Sequence, residues 1–450
     1  MDWKKETIAL FNKFIDVTPD TFKNAIKPAL KKHSEEKALQ RNASRVDESD
    51  LILALIDIVP KPFLSEVESI LSSMSIDINR YIYLNDIREK HKSDWNGISK
   101  AFAPGNYSFN LYLTDRCNQN CLHCAANMKK HRSELSTNEW KAIIEDLETT
   151  LAKQGRRGVY IWFGGEPTVR EDIKELIQYC GDKDYYQAIA TNGILFTNEF
   201  ARFCASNKMS HVFISLDSIN PNKIDTIRGR KDSLEAAKHA INNALENGLF
   251  VITTTTVMKQ NINELDEIKK FSESLGAVPY IRAVIKQRNA AKNWDEIGLS
   301  VDEYKKFYDF RNKHTFKQIK QGKIGVASMC MLFDMVPFME HPDNDEEIAS
   351  IEWGVGCQAC KGISGIDVNG DFFPCDFPSN LILGNVLEKG FTQIMGSQIF
   401  KDIRDRRRTG KCENCHHINF CGGGCRVHAE SETGDFFDSF QYCWHDNNHQ

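Results

Sequence analysis

Three cysteines stand within eight residues, in Cys117-Asn-Gln-Asn-Cys121-Leu-His-Cys124, directly after the apolar run Ser108 to Thr114. Closed structural zinc sites take four protein ligands, so three thiols alone make an incomplete one. Iron–sulfur clusters normally take one thiolate per iron. Three thiolates on a four-iron cluster would leave one iron open to another ligand, and that is the first reading. The alternative is a zinc site completed by His123 or by a distant residue.

The other cysteines are unevenly placed. Fourteen occur in 450 residues, none before Cys117, and eight crowd between Cys357 and Cys443. Cys180 and Cys204 fall in apolar-patterned helices and read as small buried hydrophobes; Cys330 stands alone. The N-terminus is charged and amphipathic, without the apolar core of a signal peptide, and no apolar run reaches roughly 18 residues. A cytoplasmic protein is expected, and in a reducing compartment clustered cysteines point to metal rather than disulfides. With 41% hydrophobic and 26% charged residues the chain is an ordinary globular one. Its net charge of −5, with mixed signs, gives no case for nucleic acid or an anionic membrane as partner.

These residues need elements to position them. Residues 1–95 read as an all-helical domain, with apolar spacing at Ile8, Phe11, Phe14 and Ile15 and again from Leu51 to Ile58. Pro60 and Pro62 interrupt the pattern before a further helix from Ser65 to Met74. From about residue 105 short β-rich runs alternate with amphipathic helices. The runs are Phe109–Thr114, Val159–Phe163, Ala188–Ala190, Val212–Leu216, Val251–Val257 and Tyr280–Ile285. Ser136 with Glu139 makes a capping box for the first intervening helix. Six such strands predict an α/β fold with a parallel sheet, open or curled into a partial barrel. In such folds ligands bind at the carboxyl ends of the strands, which is where the Cys117 loop emerges.

The same edge carries further polar residues. Gly164-Gly165-Glu166-Pro167 follows the second strand; paired glycines allow close backbone approach, and Glu166 offers an acceptor to an ammonium group. Ser215 and Asp217 end the fourth strand, two apart and so on one side of an extended chain. Arg228 could hold a carboxylate with its planar fork. Two duller readings stand beside these: Ser215 and Asp217 could cap a turn, and Asp115 with Arg116 could form a local ion pair.

Together the CxxxCxxC loop after the first strand and the GGEP segment after the second resemble the radical S-adenosylmethionine (SAM) superfamily, over roughly residues 105–310. The resemblance implies a partial (β/α)6 TIM-type barrel. In it Cys117, Cys121 and Cys124 bind a [4Fe–4S] cluster and SAM chelates the open iron. Gly164, Gly165 and Glu166 would cradle the SAM amine, Ser215 and Asp217 would reach the ribose or amine, and Arg228 the carboxylate. Adenine contacts are expected near Thr255 to Met258.

The late cysteines resemble the SPASM extension of radical SAM enzymes, expected over residues 351–450 after a bridging region at 311–350. That likeness implies two auxiliary [4Fe–4S] clusters, three in all. Cys360, Cys375 and Cys425 would share one with an upstream ligand, Cys357 or Cys330, or with an open iron. Cys412, Cys415, Cys421 and Cys443 would hold the other; two zinc ribbons are the rival. Asp376, just after Cys375, resembles a residue proposed as general base in sulfatase-maturing relatives, and the plainer alternative is a hydrogen bond within the loop.

The implied activity is reductive cleavage of SAM to a 5′-deoxyadenosyl radical. The radical then takes a hydrogen atom, so that a peptide or protein is oxidised or cross-linked. The alternative substrate is a small biosynthetic molecule such as a haem-type tetrapyrrole. A non-catalytic iron–sulfur carrier or zinc scaffold is the different-class rival. An electron donor such as flavodoxin or ferredoxin is implied. Many peptide-modifying relatives carry a leader-binding domain with a three-stranded sheet, and no such strands are expected before residue 95.

Overall fold

The computed structural model describes residues 1–18, 20–40, 45–58, 64–74, 76, 106–126, 133–319, 357–415, 418 and 422–443. Cys330, Cys421, Pro60, Pro62 and most of the expected bridging region lie outside the described residues. The chain divides into two compact units, residues 1–95 with 273–276, and the remainder.

The first unit is built on helices Lys5–Val17, Asp20–Gln40, Glu48–Ile58 and Leu64–Ser73. Its core joins Phe11, Phe14, Ile15, Leu51 to Leu55, Val67 and Leu71. Ile8 is 44% exposed, contrary to the expected pattern. The buried face runs Thr7, Phe11, Phe14, Ile15, a four-three-one spacing that leaves Ile8 one position off it. The unit is also not wholly helical. β1 (Asp2–Trp3) pairs in parallel with β2 (Arg45–Val46), a bridge too short to show as sequence alternation.

The second unit is organised by one sheet. Its strands are β3 (Asn106–Tyr112), β4 (Arg157–Phe163), β5 (Tyr186–Thr191), β6 (His211–Ser215), β7 (Phe250–Val257), β8 (Val278–Ala283), β9 (Ile363–Ile366), β10 (Asp371–Phe373) and β11 (Gly384–Asn385). The spatial order is β11-β10-β9-β3-β4-β5-β6-β7-β8, with β9 and β3 to β8 parallel and β9-β10-β11 antiparallel. Helices follow each barrel strand, as the alternating sequence predicts. The strands are buried on both faces, which explains why β4, Arg-Gly-Val-Tyr-Ile-Trp-Phe, reads as a nearly continuous apolar run. Outside, helix Thr137–Ala152 begins at the Ser136–Glu139 capping box and buries Trp140, Ile143, Ile144, Leu147 and Leu151. Each such side chain contributes about 1.5–3 kcal/mol of transfer free energy. Cys180 and Cys204 are fully buried, as expected of hydrophobes. The barrel is partial, since β8 and β3 do not pair. The β3 edge is covered instead by β9, with Ser108 to Leu111 in register with Ile363 to Ile366.

Candidate active site at the mouth of the partial barrel

The loop after β3 is fixed at several points. Asn120 N donates to Arg228 O (3.1 Å) and Leu122 N to Ile227 O (2.9 Å), tying the loop to the end of helix Pro221–Arg228. That helix closes on Gly229, with φ +63, and a Cβ there would strike the Asn120 carbonyl. Asn289 donates its side chain to Cys121 O (2.6 Å) and Asn293 to Leu122 O (3.0 Å). Arg116 pairs with Glu134 at 3.3 Å, so the expected partner Asp115 is not the one it takes.

The turn after β4 locks onto this loop. Gly165 N donates to Thr114 O (2.7 Å) and Glu166 N to Arg116 O (2.9 Å). A Cβ on Gly165 would overlap the carbonyl oxygens of Asp115 and Arg116, so only glycine permits the approach. Glu166 itself is buried, and its carboxylate accepts from Thr168 N (3.2 Å), Thr168 Oγ1 (2.6 Å), Thr191 Oγ1 (2.8 Å) and Asn192 N (2.7 Å). Burial raises its pKa while those four donors lower it. Glu166 thus joins the turns after β4 and β5 as well as lining the site.

The three thiols open on a cavity of about 170 Å³, whose wall also includes Gly164, Gly165, Glu166, Ser215 and Arg228. Burial pushes the Cys117 thiol up to about 11 and that of Cys124 to about 12, and raises Cys121 as well. Donors gather at the sulfurs. Gln119 N lies 3.4 Å from Cys117 Sγ, and Arg228 Nη1 lies 3.9 Å from Cys121 Sγ.

Asp217 does not reach the cavity wall. β6 ends at Ser215, so the two-residue alternation that would put both on one side has already lapsed. The Asp217 carboxylate turns back into the protein, where Oδ1 accepts from Thr256 N (2.8 Å). Its Oδ2 sits 2.6 Å from Arg228 Nη2, an ion pair by distance though not aligned as a hydrogen bond. His123 Nε2 is 3.6 Å from the same oxygen. Of the expected adenine segment, Thr256 lines the cavity together with Thr254, while Thr255 Oγ1 is engaged with Leu216 O.

Asp376 also lines the cavity. Its carbonyl accepts from Tyr112 Oη (2.7 Å) and Asn110 Nδ2 (3.3 Å), and its Oδ2 accepts from Arg282 Nη1 (3.2 Å). Arg282 lies over the Phe377 ring at 4.1 Å. Cys375 Sγ is 3.1 Å from Asp376 Oδ1. Cys360 N donates to Pro374 O (2.9 Å), and burial above all raises the pKa of both Cys360 and Cys425, with Cys357 adding to each. Cys412 and Cys415 share a turn (3.3 Å), and Lys411 Nζ reaches Cys443 O (3.1 Å).

The description "Radical SAM superfamily" matches residues 111–272, and the SPASM description, "Iron-sulfur cluster-binding domain", matches residues 357–416. The chain belongs to the radical SAM superfamily. This radical SAM/SPASM enzyme is similar to the Fe-coproporphyrin III synthase of Methanosarcina barkeri, 28% identical over 351 residues, 74% of this chain and 86% of that one. The mycofactocin maturase of Mycolicibacterium smegmatis is 29% identical over 329 residues, 72% and 78% of the two chains. Streptococcus suis SuiB bound to its precursor peptide SuiA shares the fold, with a TM-score of 0.58 at 18% identity over 89% and 93% of the chains.

The residues present suit the cluster and SAM of this superfamily. Buried Cys121 and half-buried Cys117 and Cys124 line the cavity, with an N–H donor at the Cys117 sulfur and a guanidinium at that of Cys121, contacts of the kind that tune cluster potentials. No helix among the described residues is long and apolar enough to cross a membrane. The sequence places Thr191-Asn192-Gly193 on this edge, but it gives no sign of Asn289, Asn293 or Gln119, because polar loop residues carry no local signal until a fold brings them to a partner.

Proposed function

We propose that this enzyme oxidises or cross-links a peptide or protein by removing a hydrogen atom from it. The observation that carries the reading is the cavity itself. The Cys117, Cys121 and Cys124 thiols and Asp376, next to Cys375, line the same cavity. A substrate held between them meets both chemistries at once.

In this reading Cys117, Cys121 and Cys124 hold the [4Fe–4S] cluster that binds SAM, and together these supply the 5′-deoxyadenosyl radical when bound. Gly164, Gly165, Glu166 and Ser215 form the SAM wall. Arg228, pinned by Asp217, keeps its charge at Cys121 and is in reach of a carboxylate. Cys357, Cys360, Cys375 and Cys425 hold one auxiliary cluster; Cys412, Cys415, Cys421 and Cys443 hold the second. Asp376, its carboxylate oriented by Arg282, would take the substrate radical's proton, and the auxiliary cluster held beside it at Cys375 would accept the electron. A flavodoxin or ferredoxin supplies electrons, and the cytoplasm is the compartment that keeps the cysteines reduced.

The maturase relative and the peptide-bound SuiB support a peptide substrate. The Fe-coproporphyrin III synthase relative, matched over 74% of this chain, supports a tetrapyrrole as the second reading. The experiment is anaerobic reconstitution with iron counting, then a dithionite-driven assay for 5′-deoxyadenosine. About twelve irons per chain are expected for three four-iron clusters, with SAM cleavage lost in Cys121→Ala. A count of about four, or cleavage that survives the substitution, would sink this reading.

A further inference from the structure

A phenol on the first barrel strand lies one hydroxyl away from the Cys360 sulfur. Tyr107 of β3 and Ser364 of β9 are both fully buried. Phe109 is in register with Ser364, and Tyr107, two residues before Phe109, shares its face of the sheet. Tyr107 Oη and Ser364 Oγ are 2.7 Å apart. The Ser364 side chain in turn hydrogen-bonds that of Cys360. Cys360 is itself buried and holds a left-handed backbone at φ +55, a conformation that persists only where the surroundings fix it. Its N–H bonds to Ile363 O (3.2 Å) and Pro374 O (2.9 Å) do so here.

The direction of the hydrogen bonds follows from what each hydroxyl can reach. Among the described residues Tyr107 Oη has Ser364 Oγ as its one hydrogen-bond partner. Were Ser364 the donor, the phenol proton would be left buried without an acceptor, a costly state. Tyr107 therefore donates, and the Ser364 proton points onward. Its two acceptors are Pro374 O, at a long 3.4 Å, and the Cys360 sulfur. A cluster ligand is a thiolate, and an anion draws a donor more strongly than a neutral carbonyl does. With Cys360 in that form the chain of donors runs from Tyr107 through Ser364 to Cys360.

We propose that Tyr107 and Ser364 form a hydrogen-bond relay that raises the reduction potential of the auxiliary cluster held by Cys360. The inference rests on the reading that Cys360 ligates such a cluster. Reduction adds negative charge that the thiolates share, so a donor at a sulfur stabilises the reduced state more than the oxidised one. Burial alone works the other way, because an apolar surround resists added charge. Neither residue touches substrate. Both act through Cys360, and they suit that site to take the electron released as Asp376 takes the proton.

The test is a redox titration followed by electron paramagnetic resonance on the full chain, reconstituted anaerobically, with irons counted on the same sample. Added SAM marks the signal of the SAM-binding cluster, so the auxiliary signals stand apart. In Ser364→Ala one auxiliary potential should fall. The ratio of reduced to oxidised cluster at a fixed poise should drop about tenfold, which is about 59 mV for one electron. The other potentials should keep their wild-type values. Ser364→Thr, which retains the hydroxyl, should restore the shifted one. Tyr107→Phe removes a single oxygen, so it answers the question even where a β9 variant does not fold; it should lower the same potential by less. An unmoved potential in Ser364→Ala or in Tyr107→Phe overturns the relay. So does an equal shift of every cluster, or a shift that Ser364→Thr does not restore. Absence of any auxiliary signal, with an iron count of about four, overturns the cluster reading itself and the relay with it.

Discussion

Arg228 places Nη2 2.6 Å from Asp217 Oδ2 and Nη1 3.9 Å from Cys121 Sγ, so one buried guanidinium links an acid to a thiol. Asp217 is fully buried. Removing the cation alone strands that carboxylate, and breaking a buried pair from one side costs about 3–5 kcal/mol. Arg228→Met should lower the unfolding free energy by that order in urea titrations. The double variant Arg228→Met with Asp217→Leu should lose distinctly less. If both lose equally, the pair is not coupled.

His123 predicts an acid sensitivity. Burial lowers its pKa to about 4, against the pull of Asp217, while an unfolded histidine titrates near 6.5. Between those values the unfolded chain binds a proton that the folded chain refuses. The stabilisation is therefore complete above pH 6.5, declines as pH falls, and is gone near pH 4. From pH 7.5 to 5 this amounts to about 2 kcal/mol. Urea unfolding at the two pH values should show a smaller difference in His123→Phe than in wild type.

Two glycines make an opposed pair. Gly165→Ala drives a Cβ into the backbone of Asp115 and Arg116 and should destabilise by about 1–3 kcal/mol. Gly396 ends helix Phe391–Gly396 with nothing within 4 Å of an added Cβ. There alanine should stabilise by up to about 1 kcal/mol through the unfolded state. Thermal melts of both variants check the signs.

Asp376→Asn separates hydrogen abstraction from the proton transfer that completes the oxidation. If Asp376 is the base, mass spectrometry should show product formation reduced roughly 10²- to 10⁴-fold, while 5′-deoxyadenosine still forms. Undiminished product would reduce Asp376 to a strut for the Cys375 turn.

Much of this was legible in the residues. The six barrel strands stand within two or three residues of their expected positions, because strands buried on both faces announce themselves as short apolar runs. The capping box at Ser136 and Glu139 needed only local chemistry. Helix Pro221–Arg228, which aims Arg228, carries just Ile224 and Ile227 as buried apolar residues and left no periodic signal. The inward turn of Asp217 depends on where β6 stops. Pairing of β3 with β9 joins residues more than 250 positions apart, which no local pattern encodes.

That pairing has a consequence for anyone who cuts the chain. A fragment ending before Cys357 would keep all six barrel strands yet lose the ladder that covers Ser108 to Leu111. It would present a bare parallel edge, an adhesive template for other copies of itself. The C-terminal cysteine region is thus also an edge guard for the catalytic sheet, and exchanging it between relatives means matching a strand register as well as a set of thiols.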